Sequence, residues 1–481
     1  MTPRMNRPNT RAIVVTALVL ALTPTFGRTA SPAVAADVER TRASARVDAL
    51  SPRLAAVTDE PDDRILSRTV ESTATTPDDV GDLLTDGRGR LIVDVTLAEP
   101  TDAALAALDE VGAELIATDA GPVLATVAVP VGTIRDLAAL PTVAYVAEVV
   151  APYRSEYPAG GAADLPTLGP APAAPNAAAC AARVVSEGDA QLRADELRAA
   201  SGSDGSGVVV GVVSDSYDNL GGAGTDIAAG ELPGPGNPCG YDTPVRVHSE
   251  LESGGADGGR AMLQIVHDLA PGAELMVATG ATGEVAMAEQ IRQLGTAGAD
   301  IITDDIGYLT EPMFQDGPIA QAIEENRTER GILHFAAAGN ANAIIGGKNV
   351  TSYESPAFRP TACPAGVPAH QNACHDVDGT AGTDAGAGIT LVDNGSIVLM
   401  LGWSEPMYEV TTDLDLYLVD TVTGLVVAAS ELNNAASMRA GEYLTYRNTT
   451  GGTRTFDIVI GRYGNGTDPS GTPRLRTVLV R

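Results

Sequence analysis

Three stretches of this 481-residue chain carry residue types that can move protons or polarise a carbonyl, and each follows a strand-like run or opens a helix. The first is Ser214-Asp215-Ser216-Tyr217-Asp218, directly after the apolar run Val208–Val213. A carboxylate at Asp215, or at Asp218, can orient a neighbouring base and stabilise its charged form, or simply close a turn. The second is Asp257-Gly258-Gly259-Arg260-Ala261-Met262, with His267 and Ala270-Pro271-Gly272-Ala273 further on. Asp257 stands where a helix N-cap is expected. The third is Ala336-Ala337-Ala338-Gly339-Asn340. A side-chain amide such as that of Asn340 can donate to a developing oxyanion. Asp304 and Asp305 end a further strand-like run, a place where adjacent acids are often only solvated.

These residues need a scaffold. Residues 186–360 alternate β runs with helical periodicity, which implies a parallel sheet with helices on both faces. Ligands of such sheets bind at the carboxyl ends of the strands. The spacing predicts a helix over Gly259 to Leu269 with Met262, Ile265, Val266 and Leu269 inward, and another over Glu284 to Leu294 with Met287, Ile291 and Leu294 inward. A third is predicted to be capped by Asp316, with Pro318 in its first turn and Gly331 ending it. Upstream, residues 90–150 read β-α-β-β-α-β, a ferredoxin-like α+β unit. Residues 37–89 show little periodicity and read as a poorly ordered segment. The Pro/Ala-rich stretch 151–185 reads as an exposed linker. Residues 361–481 carry short alternating strands between turn residues, as in an antiparallel β-sandwich. There, Asp413 and Asp415 alternate with leucines, which places them on the wet face of a strand; structural calcium is the other reading.

The N-terminus has Arg4, Arg7 and Arg11 before the apolar run Ala12–Leu22, then Ala33-Val34-Ala35-Ala36. That pattern is a signal peptide over residues 1–36 and predicts secretion; the run is too short to span a bilayer. The formal net charge is −31, so neither nucleic acid nor an anionic membrane is an expected partner. Four cysteines allow three pairings after export. Cys363 and Cys374 are closest in sequence and are the first choice, leaving Cys180 with Cys239. No histidine stands at ligand spacing from these thiols, so a thiolate zinc site is not expected.

In this order the motifs resemble the subtilisin-like serine proteases, in a branch that blends into the sedolisins. The Asp-bearing turn after Val208–Val213 is similar to the aspartate motif of that family. The start of the 258–262 helix and Ala270-Pro271-Gly272-Ala273 resemble its histidine motif, and Ala337-Ala338-Gly339-Asn340 its oxyanion motif. The likeness covers roughly residues 90 to 360 and implies a subtilisin-like α/β domain acting on a polypeptide substrate or ligand. It implies that Asp215 orients a base, that Asn340 stabilises the oxyanion, and that Asp304 or Asp305 assists there. It makes the 90–150 unit an intramolecular chaperone and inhibitor, and it calls for no cofactor.

Two departures stand out. Aligning the glycine of the family's His-Gly-Thr with Gly259 puts Gly258 at the base position. Asp257 is one residue away, and His267 lies about 15 Å along the helix by rise alone. The family's nucleophile string, G-T-S-x-A-x-P, does not occur. Ser470-Gly471-Thr472-Pro473 has proline at the serine position, and Gly379-Thr380-Ala381 and Gly382-Thr383-Asp384 fail likewise. The expectation is an incomplete protease domain, cut before its serine-bearing segment and catalytically silent.

Overall fold

The computed structural model of the chain describes residues 49–58, 69–70, 82–119, 121, 123–154, 184–339, 344–345, 348–349, 352–380, 382–464 and 472–480. All of them fall in the compact unit Ala45–Arg481. The 1–36 segment, Cys180 and Asn340 lie outside the described residues.

The first helix, α1 (Pro52–Val57), begins where Ser51 Oγ accepts the Leu54 N–H at 3.1 Å and proline occupies the first turn. It precedes a four-stranded antiparallel sheet. In chain order the elements are β1 (Leu91–Leu97), α2 (Asp102–Glu110), β2 (Glu114–Thr118), β3 (Leu124–Val129), α3 (Ile134–Ala138) and β4 (Val143–Glu148), and the sheet order is β2-β3-β1-β4. Leu50, Leu54 and Leu83 join Leu91, Val93, Val95, Leu108 and Ile134 in one core. Parts of the 37–89 stretch are therefore integral to this unit, contrary to the loose order expected of it.

The central element is a parallel sheet. Its strands and helices are β5 (Val209–Ser214), α4 (Ala223–Ala229), β6 (Arg246–Val247), α5 (Gly258–Leu269), β7 (Glu274–Thr279), α6 (Glu284–Thr296), β8 (Ile301–Asp304), α7 (Pro318–Arg330) and β9 (Leu333–Ala336). The order is β9-β8-β5-β7-β6, with every neighbour parallel. Met287, Ile291 and Leu294 of α6 and Ala322 of α7 cover one face. Ala223 of α4 and Leu263 of α5 cover the other. A sheet covered twice explains the unbroken valine run of β5.

Two local expectations change. Helix α5 buries Gly259, Leu263 and His267, while Ile265 is half exposed. The rotation follows from Gly259, whose N–H donates to the Ser216 carbonyl at 3.0 Å; a Cβ there would lie 2.7 Å from that oxygen. Helix α7 takes Gly317 rather than Asp316 as its N-cap, has Pro318 in its first turn, and is closed by Gly331 in the left-handed region (φ 72°).

The strands from residue 352 onward are β10 (Ser352–Ser355), β11 (Pro360–Thr361), β12 (Gln371–His375), β13 (Ala387–Leu391), β14 (Ser396–Trp403), β15 (Leu414–Asp420), β16 (Val426–Ser430), β17 (Gly441–Arg447), β18 (Arg454–Tyr463) and β19 (Leu475–Leu479). They form two antiparallel sheets, β10-β19-β14-β17 and β11-β12-β18-β15-β16, with β13 also on β18. Leu399, Leu401 and Trp403 of one sheet meet Leu416, Leu418 and Phe456 of the other. Cys363 and Cys374 form the expected disulfide, and Cys239 is disulfide-bonded as well.

The loop closed by Cys363–Cys374 packs Val367 and Cys374 against Tyr417, Val419 and Val459 on the outer face of the second sheet. That cover corrects the sequence reading of Asp413 and Asp415. Both are buried, Asp415 completely, because strand alternation says which face a residue takes but not whether a distant loop roofs that face. The loop spans a sequence separation of 11, for which cross-link entropy is worth about 3 kcal/mol. Replacing both cysteines by serine is expected to lower the urea midpoint accordingly; an unchanged midpoint would remove the loop from the stability of this sheet.

Candidate functional site

The sheet order places a topological switch at β5. The chain leaves β5 for β6 and then β7 on one side, then crosses to β8 on the other. Crevices at such points open at the carboxyl ends of the strands, and Asp215 and Asp304 stand there, after β5 and at the end of β8.

Asp215 is fully buried. Its Oδ1 accepts the N–H groups of Ser216 and Gly258, both at 2.7 Å, and its Oδ2 accepts that of Ala256 at 2.6 Å. Its own carbonyl accepts the Thr279 hydroxyl at 2.7 Å, which joins β5 to β7. The carboxylate therefore sits against the first turn of α5, where an anion is stabilised by unsatisfied N–H groups and the helix dipole. The strand-end aspartate and position 258 meet through the Gly258 backbone N–H.

Asp257 is the residue before the helix, yet its side chain makes no capping bond. Its backbone lies in the left-handed region (φ 58°). Its carboxylate turns back to accept from Ser216 Oγ (2.8 Å), Asn219 N (2.7 Å), Leu220 N (3.1 Å) and Arg260 (2.5 Å). This holds the loop after β5 and accounts for a conformation that non-glycine residues rarely adopt. Asp218 accepts from Gly222 N and Ala223 N at the start of α4 and pairs with Arg260 at 3.1 Å. Arg260 also reaches Asp226 at 3.0 Å. Asp218 and Asp257 thus share Arg260 in one ion-paired anchor of the loop after β5.

Asp304 pairs with His334 of β9, Oδ2 to Nε2 at 2.5 Å, both side chains nearly inaccessible. Sequence reading passed over His334. The signal was a lone histidine inside an apolar strand; the β8–β9 pairing sets His334 beside Ile302, two residues before Asp304, and its ring reaches that carboxylate. Asp305 is half-buried beside this pair. Glu250 was missed as well. It accepts from Tyr217 N at 3.1 and 3.0 Å, Asp218 N at 2.9 Å and Leu251 N at 3.0 Å, so it is a second carboxylate bound to backbone beside the Asp215 turn. His267 is buried in α5, edge-on to Tyr241 with ring centroids 5.2 Å apart, well along the helix from the Asp215 contact.

The start of the supposed linker also differs from expectation. Ala151 is buried, and Tyr153-Arg154 pair antiparallel with Ile306-Gly307, just past Asp304-Asp305. A Cβ on Gly307 would collide with the Tyr153 ring, so glycine is required for that approach.

No family model matches the chain, and no curated protein matches it. Among solved structures it is similar to an epidermin leader peptide processing serine protease from Staphylococcus aureus, with TM-score 0.30 and 11% identity over 52% of this chain and 60% of that one. A mutant of the same protease gives 0.32 and 12% over 53% and 61%. Fervidolysin from Fervidobacterium pennivorans, a keratinolytic enzyme related to subtilisin, gives 0.28 and 11% over 80% of each chain. The chain spans about 60% of the length of the staphylococcal protease. Scores near 0.3 leave these likenesses too loose to assign a fold or an activity.

Proposed function

We propose that this chain is an exported relative of the subtilisin-like serine proteases that does not hydrolyse peptides in this form. One observation carries the reading. Asp215 Oδ1 lies 2.7 Å from the nitrogen of Gly258, at the position where a base would stand, and glycine has no side chain to move a proton. A general base has to come within about 2.6–3.2 Å of the proton it takes. The absence of a G-T-S-x-A-x-P string from the sequence points the same way.

Descent is supported by the Asp-bearing turn after the central parallel strand and by Asp304 on the adjacent strand. The placement of the 90–150 unit supports it further. Ala117 and Leu124 of that unit pack on Val285 and Ala286 of α6, and the chain leaving the unit lies along Ile306-Gly307. In this reading the unit is an intramolecular chaperone and inhibitor, and its trailing segment occupies the ground a polypeptide would take. Asn340 is the oxyanion donor inherited with the domain.

The purified full-length chain is expected to give no labelling with a fluorophosphonate probe, and none after Gly258→His. Labelling of the unaltered chain would sink the proposal, and folding of both forms is checked by circular dichroism.

A peptide-binding role is the second reading. It is favoured by β9, the sheet edge among the described residues, where Leu333 and Phe335 are 56% and 57% exposed. An apolar edge strand is a template for an added strand.

A further inference from the structure

Side chains of paired residues on parallel strands point to the same face, so the register of the central sheet defines rows across it. One row runs Leu275, Val210, Ile301, Leu333 over β7, β5, β8 and β9, and the next runs Val277, Val212, Thr303, Phe335. Exposure climbs along both. Leu275 and Val277 are each 1% exposed, and Val210 and Val212 are 7% and 0%. Ile301 and Thr303 are half-buried, and Leu333 and Phe335 reach 56% and 57%. Leu263 of α5 packs on the first two positions of the rows, and the cover stops there. On the opposite face Ile302 of β8 is fully buried in the core that α6 and α7 build. A parallel sheet ordinarily carries helices on both faces.

Helix α5 stands beside the uncovered strip. One flank of it carries Arg260, bound to Asp218 and Asp226. At about 100° per residue, the other flank carries Met262, Val266 and Leu269, all half-buried. The strip thus has an apolar floor and, in α5, an apolar wall.

We propose that this strip docks a basic amphipathic helix of a separate polypeptide, laid alongside α5. Two strand spacings give it a width of about 10 Å, which matches a helix of about 10–12 Å with its side chains packed about 8–10 Å from α5. A second copy of the chain fits less well. The half-exposed Leu333 and Phe335 offer on the order of 250 Å², against about 800 Å² per partner in a stable complex. Two chains of formal net charge −31 also repel each other. The same charge, with exposed Asp300 at the foot of β8, favours lysine and arginine on the outer side of the docked helix. This mode is distinct from strand addition at β9. Strand addition uses the backbone edge and leaves Leu333 and Phe335 in water, whereas the helix takes their side chains. The proposal rests on no protease ancestry.

The test is titration of the full-length chain, in about 0.15 M salt, with three fluorescent synthetic peptides of about 14 residues. The first is leucine and lysine with leucines at i, i+3, i+4 and i+7. The second has glutamate for lysine. The third has the composition of the first with leucine and lysine in strict alternation, the strand pattern. The first is expected to bind and to gain helicity by circular dichroism, and the other two to bind at least about tenfold more weakly. Phe335→Ser, at an exposed position and so compatible with folding, is expected to weaken the first peptide at least about tenfold. Met262→Gln, on the wall, is expected to weaken it as well and reads the site from a second element. No binding of the first peptide, unchanged binding in Phe335→Ser, or tighter binding of the alternating peptide would each overturn the proposal. So would a dimer in sedimentation that Phe335→Ser dissolves, since a second copy would then be the occupant.

Discussion

Replacing Arg439 by methionine is expected to lower the unfolding free energy by about 3–5 kcal/mol, the usual effect of removing one partner from a buried ion pair. Arg439 lies just before β17 and reaches two other parts of the molecule. It is 3.1 Å from Asp94 on β1 and 2.9 Å from Glu284 at the start of α6. All three side chains are nearly inaccessible to water. Asp94 accepts Thr126 Oγ1 at 2.6 Å and Glu284 accepts Thr310 Oγ1 at 2.6 Å, so each acid keeps one neutral partner when the arginine goes. Neither hydroxyl replaces the lost positive charge. The cost is the desolvated carboxylates left behind, not the net worth of the pair. The triple variant Arg439→Met, Asp94→Asn, Glu284→Gln is accordingly expected to recover most of the loss. The measurement is the urea midpoint of each form. A single-variant loss below about 1 kcal/mol would mean that water reaches this junction and that the three segments are held by apolar contact alone.

The same junction makes stability fall as pH rises. Burial is the main cause that pushes Asp94 up to about 6 and Glu311 up to about 8. Glu284 adds to both shifts by repulsion, and Arg439 opposes both. An acid whose folded pKa is raised binds more protons in the folded state. Its contribution is complete below the unfolded value and is lost as pH climbs through the folded one. For Asp94 that window runs from about 4 to about 6, and for Glu311 from about 4.5 to about 8. Each group adds a slope of up to roughly 1.4 kcal/mol per pH unit within its window. The urea midpoint is therefore expected to drop between pH 5 and pH 8. Glu311→Gln should flatten that drop while leaving the part below pH 6 that belongs to Asp94. A midpoint that rises over this range, or a Glu311→Gln profile parallel to the parent, would contradict the assignment.

Much of the scaffold was legible in residue order. The valine run before Asp215 read as a strand covered on both faces, and the strand–helix alternation through residues 186–360 implied a parallel sheet. Gly331 marked the end of α7 because a left-handed cap suits glycine. Cys363 and Cys374 were close enough in sequence to pair. The site was legible to a lesser degree. Motif order singled out Asp215 and position 258; their backbone hydrogen bond is a fact of the fold. That Asp257 turns away from the helix was not legible, since its rotamer is set by Ser216, Asn219 and Arg260 together.

What residue order determined by itself was the kind of element at each place and the lack of a side chain at position 258, because hydrophobic period, caps and glycine act over a few residues. Tertiary structure alone decided which polar groups leave water and whom they meet: Asp415 under a disulfide loop, His334 against the Asp304 carboxylate, Arg439 between Asp94 and Glu284. Desolvation and strand register are set by segments far apart in the chain, and no local pattern encodes them.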